Sequence, residues 1–180
     1  MIVGATRAVV QLFREIEPDV HLNMGGLTEL ASLPSIVLTG PSLTERGRAG
    51  RDAERLTEID EEAWTAVREM PPRWYHMRFD VALAYPAQLP LMEAIERCGR
   101  LVQARPLIEA QGSGGRVRRY SWEWTTPPVP HPAPNVAEVH EGRGVLTVHD
   151  VELYSGLTEV VPLIRRVAFD IDGERLEIGG

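Results

Sequence analysis

Five histidines are the side chains most suited to metal or proton chemistry in this 180-residue sequence. His140 and His149 are each followed by an acid, Glu141 and Asp150, while His76 falls on the same strand face as Asp80. A zinc hydrolase spaces two histidines as H-E-x-x-H on one helix face, and a structural zinc site needs four clustered ligands. Neither pattern is present, so the expectation is no metal and no cofactor, with the histidines on surfaces or sheet faces. Asp170-Ile171-Asp172-Gly173-Glu174 opens like a calcium loop, but its glycine comes too early in the run, and a hairpin turn fits better. Cys98 could act as a nucleophile only with a lowered pKa and an ordering histidine. Its place on an apolar helical stripe implies burial instead. Tyr120, Trp122 and Trp124 alternate beside Arg116, Arg118 and Arg119, a combination able to stack bases or sugars. Rings at that spacing equally line a core, and core is the expectation.

All 19 basic residues are arginine. Without lysine there is no Walker-type phosphate loop, no kinase strand lysine and no Schiff base. Gly112-Ser113-Gly114-Gly115 lacks the G-x-S-x-G spacing, and the third dinucleotide-fingerprint position is Val117. No acid, base and electrophile assemble along the chain, so the expectation is a protein that is not an enzyme. Twenty-six acids against 19 arginines leave a net charge of −7, unlike a passive nucleic-acid binder with its basic face.

Length fits one domain, and 43% apolar with 25% charged residues is ordinary globular composition. The longest uncharged apolar run, Val81 to Met92, is broken by Pro86 and Pro90 and reaches about half the ~20 residues of a membrane span. Arg7 and Arg14 interrupt the apolar start, so synthesis in the cytoplasm without a leader is expected. A single cysteine excludes an internal disulfide.

The elements that would position these residues follow from periodicity. Ile2, Thr6, Val9, Phe13 and Ile16 form one helical face, ended by Pro18. Val20 to Met24 is a short extended piece, and Ile36 to Thr39 an apolar run suited to a covered strand. Between Glu45 and Glu69 the chain holds eight acids and five arginines, so 42–72 reads as a long solvated loop, with a short helix possible from Ile59 to Met70. Residues 74–85 alternate strictly, and Pro86-Ala87-Gln88 turns the chain into a second helix whose stripe is Leu91, Ile95, Cys98 and Val102. Proline crowding at 127–134 implies an unpaired arm. Val136 to His140 and Val145 to Tyr154 look like two strands, with a bulge near His149-Asp150 re-phasing the second. Asp172-Gly173 joins a C-terminal hairpin. Together these predict a single α+β domain over 1–180: a mainly antiparallel sheet, two helices on one face, and that hairpin.

Two stretches, Leu33-Pro34-Ser35-Ile36-Val37-Leu38-Thr39-Gly40 and Phe79-Asp80-Val81-Ala82-Leu83-Ala84-Tyr85-Pro86-Ala87-Gln88-Leu89-Pro90, resemble the tail terminator proteins of long-tailed bacteriophages. The likeness covers roughly 1–110 and, more loosely, the strands to 154. The longer 42–72 segment, the arm at 127–134 and the added hairpin depart from it, leaving a neck or sheath-terminating protein as an alternative. A ligand-binding or enzymatic α+β domain using the Tyr120/Trp122/Trp124 face is another. The resemblance implies a virion protein assembled in the host cytoplasm as a homo-oligomeric ring, commonly a hexamer. Such a ring caps the tail tube protein, meets the head connector protein and lets DNA pass without sequence-specific contact. On that reading Arg105, Arg116, Arg118 and Arg119 would meet acids of a neighbouring copy. Asp52, Glu54, Glu58, Asp60, Glu61 and Glu62 would line an axial face or lumen.

Overall fold

The computed structural model describes residues 1–23, 32–48, 55–60, 62–63, 65–69, 73–111, 117–132, 139–153, 158–162, 167–171 and 174–178. Their contacts divide the chain into two compact units, one of 1–47 with 74–153 and one of 48–73 with 154–180.

The first unit opens with helix α1 (Ile2–Arg14), which buries Ala5, Thr6, Val9, Leu12 and Phe13 along one stripe. The amides of Ile16 and Glu17 fold back onto the Phe13 carbonyl, and Pro18 prevents another turn. Strands β1 (Val20–Asn23) and β2 (Ser35–Arg48) then pair in parallel, Val20 opposite Ile36 and Asn23 opposite Thr39. Past β3 and β4, which belong to the second unit, β5 (Arg73–Tyr85) points Met77, Phe79, Val81, Leu83 and Tyr85 into the core. Helix α2 (Gln88–Ala104) follows an extended Ala87, with Pro90 in its first turn where a missing amide is harmless. It ends at Arg105, whose amide caps the Leu101 carbonyl, and Pro106 blocks continuation. The buried α2 stripe is Leu91, Ala94, Cys98 and Leu101, with Ile95 and Val102 half-buried beside it.

Strands β6 (Leu107–Gln111), β7 (Val117–His131) and β8 (His140–Leu153) form an antiparallel run. The six-stranded sheet has the order β1-β2-β5-β8-β7-β6. It is mixed, so the mainly antiparallel expectation is corrected: β1 enters parallel to β2, and period-two patterning carries no information on strand direction. Both helices send their apolar stripes into one core with the inward face of this curled sheet, which makes the unit α+β. Of the two strands expected around Glu141 to Gly144, Val136 to Glu138 lies outside the described residues, and from His140 one continuous β8 runs through 141–144; Gly142 lets α2 press down on it, since a Cβ there would lie 3.1 Å from Leu91 Cδ1.

Two further corrections concern polar and proline-rich segments. Residues 127–131 are not an unpaired arm but the end of β7, with Val129 opposite Arg143 and His131 opposite Glu141. β6 pairs with 117–121, so beyond Trp124 no described strand lies along the outer edge of β7, and prolines there withdraw no amide from such a ladder. Ala133 and Pro134 lie outside the described residues.

The second unit shows why 42–72 is not a loop. After β2, strands β3 (Arg55–Asp60) and β4 (Thr65–Glu69) pair antiparallel, and β9 (Thr158–Pro162) completes a three-stranded sheet β3-β4-β9. The possible helix at Ile59 to Met70 is thereby replaced by strand over 65–69, where Thr65 and Val67 favour extended backbone. Strands β10 (Val167–Ile171) and β11 (Glu174–Ile178) pair antiparallel, Phe169 opposite Leu176. Their turn, Asp172-Gly173, lies outside the described residues.

Candidate functional site

The outward face of the central strands brings together side chains that are far apart in sequence. On β8, Leu146 and Val148 point into the core, so His149 points outward. The next fully buried residue is Val151, and the extra residue is absorbed at Asp150, whose φ of 58° makes the expected bulge. Asp150 then ion-pairs with Arg46. On β7, Glu123 stands opposite Thr147 and is therefore a diagonal neighbour of His149 on the same face. β5 flanks β8 on its other side and contributes His76.

The His76 and His149 rings meet edge to face, centroids 4.9 Å apart, with Nδ1 to Nδ1 at 3.2 Å. His149 Nε2 lies 3.3 Å from Glu123 Oε1. A carboxylate there holds the proton on Nε2, leaving His149 Nδ1 with a lone pair aimed at His76. The His149 side chain is only 26% exposed, so the pair is shielded without being sealed. The sequence sets His76 on one strand face with Asp80, and His149 beside Asp150. In the fold Asp80 instead faces Arg78, 3.7 Å away, and the partner that matters is 73 residues distant. Among the described residues, no group of three or more histidine, cysteine, aspartate or glutamate side chains is placed to hold a metal ion.

The arginine candidates gather around β6, the end strand of the sheet. Arg105 lies 3.4 Å from Glu15, Arg119 donates to Glu109 at 2.8 Å, and Arg118 lies 3.5 Å from Glu152. All three pairs are within the chain; those of Arg105 and Arg119 are exposed on both sides and hold little stability, while Glu152 opposite Arg118 is mostly buried. An open groove of about 550 Å³ runs between α1 and β6, lined by Arg7, Gln11, Glu15, Arg105, Leu107 and Glu109 among others. Arg116 falls outside the described residues.

Of the acidic candidates, Asp52, Glu54 and Glu61 also lie outside the described residues, and Glu58 belongs to β3. Asp60 Oδ1 accepts the amides of Glu62 and Ala63, so it shapes the turn into β4 as well as supplying charge. Glu62 is exposed.

The aromatic face is core. Tyr120 and Trp122 are buried and Trp124 half-buried. The indole N–H groups of Trp122 and Trp124 donate to the carbonyls of Arg105 and Cys98, and Trp124 packs edge-on against Phe13. Rings so engaged hold both helices to the sheet and offer no stacking platform. Cys98 is fully buried, and burial pushes its thiol up to about 12, the reverse of an activated nucleophile. Among the described residues, no helix is long and apolar enough to cross a membrane. Comparison with models of known protein families and with curated proteins finds no match.

Proposed function

We propose that the chain is a structural virion protein of a long-tailed bacteriophage, a tail terminator whose copies close into a ring, with six as the expected number. In this reading it is not an enzyme: the ring forms in the host cytoplasm, caps the tail tube protein, and offers its other face to the head connector protein. The carrying observation is the end strand β6, which among the described residues is paired on one side only, with Arg105, Arg118 and Arg119 around it. A strand edge of this kind joined to a different patch of the next copy is a heterologous contact, which closes into a ring when the rotation allows. The two stretches carrying the family resemblance lie on β2 and from β5 into the start of α2, and that resemblance is what suggests the family. A net charge of −7 suits a lumen through which DNA slides without sticking.

Solution mass tests this directly. A ring near six times 20.1 kDa is expected, alone or when purified tail tubes are added and their ends viewed by electron microscopy. Reversing Arg118 and Arg119 to glutamate breaks an exposed pair at Glu109 and a pair with the mostly buried Glu152; with the fold checked by circular dichroism, the expected product is a folded monomer. A ring that survives the double reversal refutes the assignment of these arginines. Tube ends that stay bare in the presence of wild-type protein refute the terminator reading itself.

A further inference from the structure

We propose that His76 and His149 hold one divalent transition-metal ion of the class that prefers imidazole, with zinc as its probe and water completing the coordination sphere. The inference is independent of the ring reading. Metal–imidazole bonds are about 2.0–2.1 Å long, so two nitrogens on one tetrahedral ion stand about 3.3 Å apart. The Nδ1 atoms of His76 and His149 are already 3.2 Å apart. In this contact the His76 Nδ1–H faces the His149 lone pair, so entry of an ion moves that proton to His76 Nε2 and turns the rings until both Nδ1 lone pairs converge on the metal.

The second support is Glu123. Ligating histidines characteristically donate their other ring N–H to a carboxylate, which fixes the tautomer and raises ligand basicity. Glu123 stands 3.3 Å from His149 Nε2, where it accepts that N–H and leaves Nδ1 as the ligating atom. The site rests on three adjacent strands, β5, β8 and β7, rather than on loops, so its spacing is held by the sheet ladder. Two protein nitrogens are fewer than the three or four of a zinc site held by protein alone. The ion is thus exchangeable, with open positions facing solvent, and its affinity follows the order in which copper(II) and nickel bind imidazole well.

Zinc titration of the full chain by calorimetry and equilibrium dialysis tests the site. Expected is one saturable zinc per chain, at least tenfold weaker in His76→Gln and in His149→Gln, and unchanged in His140→Gln. Glu123→Gln leaves both ligands in place and should weaken binding about 10–100-fold. Because a glutamine variant that misfolds would also lose zinc, histidine ring resonances are followed in the wild-type protein as zinc is added. Shifts at His76 and His149 ahead of His21, His131 and His140 support the site. Lack of saturable uptake, shifts confined to the other three rings, or unaltered affinity in a folded His76→Gln/His149→Gln protein overturns it.

Discussion

Gly4 offers the sharpest test of how α1 is seated. A Cβ built at Gly4 would lie 2.2 Å from the Gln111 carbonyl oxygen, and the obstacle is main chain of β6 rather than a yielding side-chain tip. Restoring a normal contact needs roughly 1 Å of separation between helix and strand, an overpacking change that costs about 1–3 kcal/mol. Against this, alanine is a better helix former than glycine by about 1 kcal/mol. The backbone clash puts the cost toward the top of its range, so Gly4→Ala should destabilise by about 1–2 kcal/mol. For a chain of this size that lowers the melting temperature by about 2–8 °C. Gly99 supplies the matched control, being exposed on α2 with nothing within 4 Å of a built Cβ. Gly99→Ala should gain the propensity and raise the midpoint by about 2–4 °C. Both are read by thermal melts followed by circular dichroism and by the fluorescence of Trp122 and Trp124, which lie in the same unit. If Gly4→Ala stabilises as much as Gly99→Ala, α1 does not rest on β6, and the groove between them is wrongly drawn.

Two titrating groups add further expectations. Cys98, pushed up to about 12 by burial, should resist thiol reagents in the native protein at mildly alkaline pH and react fully in denaturant; fast native labelling would show that α2 is not packed as described. Tyr85 is raised from 10.0 to about 12, first by burial and then by Glu17, to which its hydroxyl donates at 3.3 Å. The folded state therefore holds this proton more tightly than the unfolded chain. Its contribution is complete below pH 10 and is lost as pH rises from 10 toward 12. An ultraviolet titration should show a late-ionising tyrosine that is absent from Tyr85→Phe, and Tyr85→Phe should shift alkaline unfolding to higher pH.

Local signals carried most of the first unit. The strict alternation of 74–85 and the apolar stripes of both helices need no partner to be recognised, because burial on one face imposes the period. Partnering is what the sequence leaves unstated. β4 finds β9 about ninety residues later, and until that pairing is known its acids and arginines look like a solvated loop. The prolines of 127–131 read as strand breakers because nothing local reveals that β6 begins at Leu107, opposite Ser121, and that among the described residues no strand lies along their outer edge. The direction of β1 against β2 is likewise a property of the connection, not of the strand. The same holds for the site. His76 and His149 each have closer acidic neighbours in sequence, and only the order β5-β8-β7 joins them to each other and to Glu123.

The bulge at Asp150 links these levels. Continuing the alternation of Leu146 and Val148 would turn residue 150 inward and bury a carboxylate in an apolar core, a cost of several kcal/mol unless it were neutralised or paired. One residue with φ at 58° removes that conflict, and aspartate is among the few side chains that accept it. Asp150 reaches Arg46, and Val151 takes the core position instead. His149 immediately precedes the bulge, so its outward aim is inherited from Val148 and is not disturbed by the re-phasing. The local strain thus serves the core directly, while the histidine pair depends on it indirectly: a strand forced to alternate through Asp150 would have to twist or slip, and the spacing of 3.2 Å between the two Nδ1 atoms would go with it.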